Sequence, residues 1–450
     1  MDVEEFVRRK LSKGLDEDTV CRDLANHLLA MKPETDMPYA MAFATAVIKE
    51  VQNTSGLSGD LFSYVPAGVK MGEFGVGSRG TGDFYAHRQL ARIIGKTGAS
   101  VGVDEMDDAG AVVLEGSAPA GAKDRYVICT VDGMHSRLSD FPFLAGFHVT
   151  RATLRDVYVM GARPVMLFSD IHVADDGDVA KIFDYTSGIC AVGEVMDVPL
   201  VTGSTLRIGG DMVLGSRMTG CVGAVGIASH LTARKSTRPG DILLMTEGAG
   251  GGTVATAALY SGFPMVVEHT INLSFLQASE ALLKNPVINE IHAMTDVTNG
   301  GLRGDVFEMA ETAGCRILVD KEKVAGLVQP DVQNMFDALS IDFLGVSLDS
   351  LLIVAPPGSA ADIIRTVEGA GVKIAEIGRV EKGPAEAVLV VDGRPTDFTP
   401  KFREAAYTPV KKVVDTHARN FEEMKALVTS AADAAIEKKL RIISRLQKNN

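Results

Sequence analysis

Residues 130–164 constrain this chain more than any other stretch. An apolar run, Tyr126-Val127-Ile128-Cys129, reads as a buried strand and leads into Thr130-Val131-Asp132-Gly133, so a carboxylate stands where the chain leaves the sheet. The spacing then predicts a helix from about Leu144 to Met160. Its apolar positions Ala145, Val149, Ala152 and Val159 recur at steps of three and four, and Asp156 falls on the same stripe. A carboxylate on the inner face of a last helical turn meets both desolvation and the negative end of the helix dipole. It needs a cation. Arg155 or Arg163 can supply one, and so can a metal ion shared with Asp132.

The rest of the chain narrows the setting. Its 450 residues are enough for two or three domains. A formal charge of −13 argues against a nucleic acid or an anionic membrane as partner, but not against a nucleotide that arrives with Mg²⁺. Cysteines 21, 129, 190, 221 and 315 are scattered without metal spacing, as in a reducing compartment. No apolar run reaches membrane-spanning length and no signal peptide opens the chain, so a cytoplasmic protein is expected. Residues 1–56 read as a helical extension built on Val3, Phe6, Val7 and Leu11, then Val20, Leu24 and Leu28, then the segment Met41 to Val51.

Residues 72–82 (GEFGVGSRGTG) carry too many glycines for a stable helix or strand and lack P-loop spacing. They form either a connector or an anion-wrapping loop, in which Gly77, Arg79 and Gly80 are the candidate phosphate contacts and Lys70 adds charge. A helix from about Asp83 to Ile94 follows. The acid run Asp104-Glu105-Met106-Asp107-Asp108 precedes a strand at 111–114 and must be solvated or bind a metal. Strands at 165–171 and 198–202, a helix opened by Asp175 to Asp178, and a strand or hairpin over 211–228 complete a first α/β unit, residues 57–230.

Arg238-Pro239-Gly240-Asp241 marks a boundary, and a second α+β unit spans 235–400. It opens with strand Ile242 to Thr246, a glycine loop at 248–252 and a helix Thr253 to Ser261. This phosphate-binding arrangement is equally well explained by close packing. A strand Ile291 to Met294 precedes Thr295-Asp296-Val297-Thr298-Asn299-Gly300-Gly301-Leu302. Its glycines let a ligand approach a helix N-terminus, with Asp296 as a metal ligand; alternatively Asn299 merely caps the helix. Further elements are expected at 316–320, 345–355, 360–369 and 387–391. Residues 405–450 read as amphipathic helix, with Phe421, Met424, Val428, Ala431 and Ala435 in one stripe. That stripe packs on its own protein or offers a surface to a protein partner.

The runs MDDAGAVVL, TVDGM, LRDVYVMGARP, RPGDILLMTEG and DVTNGGL occur in an order that resembles the aminoimidazole ribonucleotide (AIR) synthetase superfamily, over about residues 75–400. That superfamily includes selenophosphate synthetase, thiamine-monophosphate kinase and HypE. The resemblance implies an α/β N-terminal domain, an α+β C-terminal domain and a homodimer in which the N-terminal sheets form a shared barrel. It also implies ATP and Mg²⁺ used to phosphorylate an acceptor, here an unidentified small molecule or protein-bound group. By motif, Asp107, Asp132 and Asp156 are implied Mg²⁺ ligands with Thr130 beside them, and Asp296 and Thr298 are implied metal and ATP contacts. Arg234 is implied as a nucleotide contact, with Gly300 and Gly301 at the phosphates. Two positions depart from the pattern. Ser204 stands where relatives carry Asp, and Arg155 stands where they carry Asn. These departures leave open an alternative, a nucleotide-binding or scaffold protein without turnover. His87, His135 and His148 are candidate bases by residue type alone.

Overall fold

Strands β1 (Gly110–Val113), β2 (Tyr126–Gly133), β3 (Arg163–Val173), β4 (Leu200–Arg207) and β5 (Met218–Ala228) form a five-stranded sheet in the order β1-β2-β5-β3-β4. Its pairings are antiparallel except for β3 with β4. The computed structural model of the chain describes residues 1–77, 80–114, 125–298, 300–404, 408–414 and 419–448. One face of the sheet is covered by the Pro142–Val159 and Ala180–Val195 helices. These cross closely because Gly146 and Gly188 face each other's backbones; a Cβ at Gly146 would lie 2.1 Å from the Tyr185 carbonyl oxygen. The opposite face leaves Val112, Val131, Val165, Val201 and Leu206 exposed.

A second sheet holds β6 (Ile242–Thr246), β7 (Ala293–Val297), β8 (Arg316–Asp320), β9 (Ser350–Ala355), β10 (Ile374–Glu381), β11 (Glu386–Val391) and β12 (Arg394–Asp397), in the order β12-β11-β8-β10-β6-β9-β7. Every residue of β6, β7 and β9 is buried. Strands covered on both faces read as continuous apolar runs, which is how β6 shows in the sequence.

The Pro142–Val159 helix joins the two units. It packs on β2 and β5 on one side, and on β7 and the Ser274–Lys284 helix on the other. Nearly its whole circumference is therefore buried, including Arg151 and Arg155. Thr153 ties it to the first sheet, its hydroxyl donating to the Val222 carbonyl at 2.9 Å.

Helices Val3–Leu11, Glu17–Met31 and Met37–Thr54 share a core of their own with Leu214. The extension docks through Val3 N–H, which donates to the Met212 carbonyl at 3.0 Å, and through Lys32, which lies 2.6 Å from both Asp175 and Asp176. Those acids were expected to open a helix. The helix instead begins at Ala180, and of the acid run Asp178 serves it, accepting from Ala180 N–H.

The Phe421–Lys448 helix lies along the Thr81–Ile94 helix. Tyr85 and Thr429 share a hydroxyl bond of 2.5 Å, Arg92 pairs with Asp433, and Phe421 packs against Phe74 and Phe402. Of the stripe, Met424 is buried against its own chain and Phe421, Val428 and Ala431 are half-buried, but Ala435 is exposed and Ala432, outside the stripe, is buried instead, while Leu440, Ile443 and Leu446 stay exposed.

Other boundaries moved. Gly203 to Thr205 lie inside β4 rather than after a strand, β5 is a single strand starting at Met218, and Asp296 lies within β7 rather than in the following loop. Among the described residues no helix is long and apolar enough to cross a membrane.

Candidate functional site: a carboxylate-lined cavity between the two units

Alternation along β2 puts Thr130 and Asp132 on one face, beside the last turns of the Pro142–Val159 helix. The Thr130 hydroxyl donates to Asp156 Oδ2 at 2.9 Å, which fixes strand against helix. From the other unit, β7 delivers Asp296 and Thr298 to the same place. The result is a cavity of about 140 Å³ whose wall includes Asp107, Asp108, Asp132, Asp156 and Asp296.

Its electrostatics are set by crowding of like charge. The Asp156 carboxyl is held well above the usual carboxylate range, first by burial and then by repulsion from Asp132, Asp296 and Asp108. Asp107 is pushed up to about 7 by burial and Asp108, against the pull of Arg234. Hard oxygen donors that repel one another in a partly desolvated wall fit a divalent cation such as Mg²⁺. Among the described residues no three acidic, histidine or cysteine side chains close on a single point, so the wall is not a finished cage. Mg²⁺ commonly takes one or two carboxylates and completes its shell with water and phosphate oxygens.

Other groups in the wall were not legible as a set. Arg151 and Arg155, one turn apart, both grip the buried Asp349, and Arg155 Nε also lies 3.0 Å from Asp296 Oδ2. Asp349 holds a left-handed backbone, φ +60°, an uncommon conformation for a residue with a Cβ. His135 and His148 line the same cavity. Burial lowers His135 to about 4 and His148 to about 3, with nearby positive charge adding to both effects. Both stay neutral at pH 7. Gly251, Gly252 and Thr253 open the Gly252–Ser261 helix onto the cavity, and a Cβ at Gly252 would sit 2.4 Å from the His135 ring. The glycine loop at 248–252 therefore reaches the site as well as permitting close packing.

Arg234 has another occupation. Its Nε and Nη2 donate to the Thr295 hydroxyl, Nη2 also to Asp108, and Nη1 to Glu308 and the Met106 carbonyl, at 2.6 to 3.3 Å. All five guanidinium N–H groups are thus engaged inside the protein. Expected as a nucleotide contact, Arg234 here holds the acid loop in place, and its backbone N–H donates to Asp107 Oδ2 at 2.9 Å. Gly300 and Gly301 form the turn behind Thr298, both at positive φ. Gly77 and Gly80 do not line the cavity: Gly77 N–H donates to Asp83, and Gly80 lies against the Phe402 carbonyl. Arg79 and Asn299 lie outside the described residues. Ser204 sits on exposed β4, away from the cavity wall.

Two family models match these two units: AIR synthase related protein, N-terminal domain, over residues 106–228, and AIR synthase related protein, C-terminal domain, over 238–391. The chain belongs to the AIR synthase related family. Within the family it is 48% identical to an uncharacterized protein of Methanocaldococcus jannaschii, over 99% of this chain and 98% of that one. It is 24% identical to a selenide, water dikinase of Pelobacter propionicus, covering 64% of this chain and 88% of the relative. Among solved structures, hydrogenase maturation protein HypE in complex with ATP matches with a TM-score of 0.54 at 18% identity, covering 65% of this chain and 88% of HypE. The AIR synthase two-domain fold is thus the fold of this chain, with added helices at both ends.

Proposed function

We propose that this protein is an ATP- and Mg²⁺-dependent phosphoryl-transfer enzyme that works on the acceptor at the cavity between its two units. One observation carries the reading: Asp107, Asp132 and Asp156 line a single cavity, with the Asp107 and Asp156 carboxyls raised by burial and by neighbouring acids, and the amino end of the Gly252–Ser261 helix lines it too. The relatives agree in chemistry, since one is named for a dikinase activity and another is solved with ATP.

Asp107, Asp132 and Asp156 would hold Mg²⁺, one or two of them to an ion with phosphate and water oxygens completing its shell, and Thr130 orients Asp156. Mg²⁺, when bound, neutralises polyphosphate charge. The chain's own groups do the rest by position. Thr298 and the amides at Gly252 and Thr253 line the cavity where they would meet phosphate oxygens. Arg151 and Arg155 supply fixed positive charge to the deep wall, and neutral His135 and His148 offer hydrogen bonds without adding charge. A neighbouring hollow of about 240 Å³ shares Asp107 and Asp108 and reaches Val103 and Cys129, giving apolar space next to the carboxylates. The exposed apolar face of the first sheet is covered by a second copy, making a homodimer.

Calorimetric titration of ATP with and without Mg²⁺ tests the reading. Micromolar, Mg²⁺-dependent binding that Asp156→Asn weakens at least tenfold supports it. Absence of binding at millimolar ATP refutes it. Binding without ADP release over a broad acceptor screen favours the alternative of a nucleotide-binding scaffold, for which the Arg155–Asp296 pairing speaks.

A further inference from the structure

The deep half of the cavity is already charge-balanced by the protein itself. Arg155 lies between two carboxylates, its Nε 3.0 Å from Asp296 Oδ2 and its Nη1 against Asp349 Oδ1. The second face of Asp349 is taken by Arg151, whose other terminal nitrogen donates to the Thr270 carbonyl. Arg155, Asp296 and Asp349 are each at least nine-tenths buried as side chains, and the Arg155 guanidinium also lies over the Phe275 ring at 5.6 Å. Two guanidinium charges thus face two carboxylates in a desolvated corner. The shallow half differs. There Asp156 is met by the Thr130 hydroxyl and Asp107 by the Arg234 backbone N–H, the Arg234 guanidinium is bound to Asp108 and Glu308, and neighbouring acids still hold the Asp107 and Asp156 carboxyls up.

A guanidinium bridging two carboxylates performs the electrostatic work of a bound divalent cation. Being covalently attached, it cannot be exchanged. We infer that Arg155, backed by Asp349, is a built-in cation on the Asp296 side of the cavity, so that divalent ions bind only on the Asp107, Asp132 and Asp156 side. Asp296, placed by its motif among the metal ligands, is then a ligand of Arg155. The position of Asp349 follows: its left-handed backbone, anchored by its N–H to the Val297 carbonyl at 3.0 Å, presents one carboxylate to two arginines. The inference rests on reading the cavity as an Mg²⁺–nucleotide site, and its test separates the two.

The test counts Mn²⁺ bound per chain by electron paramagnetic resonance of the free ion, with a non-hydrolysable ATP analogue present. Arg155→Asn takes the guanidinium away from Asp296 and leaves Asp349 to Arg151, and is expected to bind one more Mn²⁺ per chain than the unaltered protein. Asp296→Asn, which keeps volume and fold, is expected to bind the same number with affinity changed by less than about threefold. Loss of an ion in Asp296→Asn overturns the inference, as does an unchanged count in folded Arg155→Asn. If Arg155→Asn folds only when Mn²⁺ is added, the ion is replacing the guanidinium, and the inference stands. Absence of Mn²⁺ from the unaltered protein refutes the phosphoryl-transfer reading alone, because the role of Arg155 is judged by the difference between variants.

Discussion

Replacing Arg234 with methionine removes a cation shared by a buried acid cluster. Asp108 lies 2.6 Å from Nη2, Glu308 2.8 Å from Nη1 and Asp305 3.6 Å from Nη2, with all three side chains no more than 5% exposed. Removing one partner of a buried ion pair costs about 3–5 kcal/mol, because the other charge remains buried. Here one guanidinium serves several carboxylates and also donates to the Met106 carbonyl and the Thr295 hydroxyl, each bond worth roughly 1 kcal/mol. Protonation of the stranded acids caps the penalty, so a loss of about 4–6 kcal/mol at pH 7 is expected, a large share of a typical domain's ~5–15 kcal/mol. Urea unfolding followed by circular dichroism measures it. Adding Asp108→Asn and Glu308→Gln to the methionine variant recovers part of the loss, since the stranded charge is removed with its partner. A loss below about 1 kcal/mol, or no recovery in the triple variant, would show that the cluster is not held by Arg234.

Several further outcomes follow from the same geometry. Asp156→Asn removes a carboxylate whose proton affinity is raised in the folded state, so metal-free protein gains thermal stability at pH 8, while Mg²⁺-dependent ATP binding weakens at least tenfold; a variant that binds normally refutes the ligand role. His148 stays neutral in the folded chain down to about pH 3 but protonates near 6.5 when unfolded, so its contribution is complete above pH 6.5 and declines on acidification. At pH 5 the decline amounts to about 2 kcal/mol, and His148→Gln should flatten the stability curve between pH 7 and 5 by that amount. Gly301→Ala places a Cβ 2.4 Å from the Leu344 carbonyl oxygen at a φ of +63°, with an expected loss of about 2–4 kcal/mol; a melting temperature within a degree of the parent would contradict this. Ending the chain before Phe421 uncovers Phe74 and Tyr85, and limited proteolysis should then cut the Thr81–Ile94 helix faster than in the full chain.

Much of the fold is written locally. The apolar run Ile242 to Thr246 and the run Arg316 to Asp320 appear in the structure with the bounds read from the sequence, as does the 360–369 helix. Each is governed by neighbours a few positions away, either a continuous buried strand or a 3.6-residue stripe. The carboxylates of the site were legible for a related reason. An acid placed where an element ends or turns inward costs free energy that only a counter-charge removes, and Asp107, Asp132, Asp156 and Asp296 do gather on one cavity wall. Less was readable at strand ends. Asp296 lies inside β7 because pairing with Leu351 of β9 extends the strand past its apolar run.

What the sequence by itself determined is the set of elements and the acid groups at their ends, because backbone propensity and side-chain period act over short distances. Only the tertiary structure decided where the arginines point. Arg155 stands next to Asp156 in the chain yet is held by Asp349 and Asp296, and Arg234, at the boundary between the two units, is held by Asp108 and Glu308. A guanidinium on a long flexible stem takes the carboxylate that desolvation makes most costly to leave alone. Which carboxylate that is depends on the packing of one sheet against the other, and no local pattern records it.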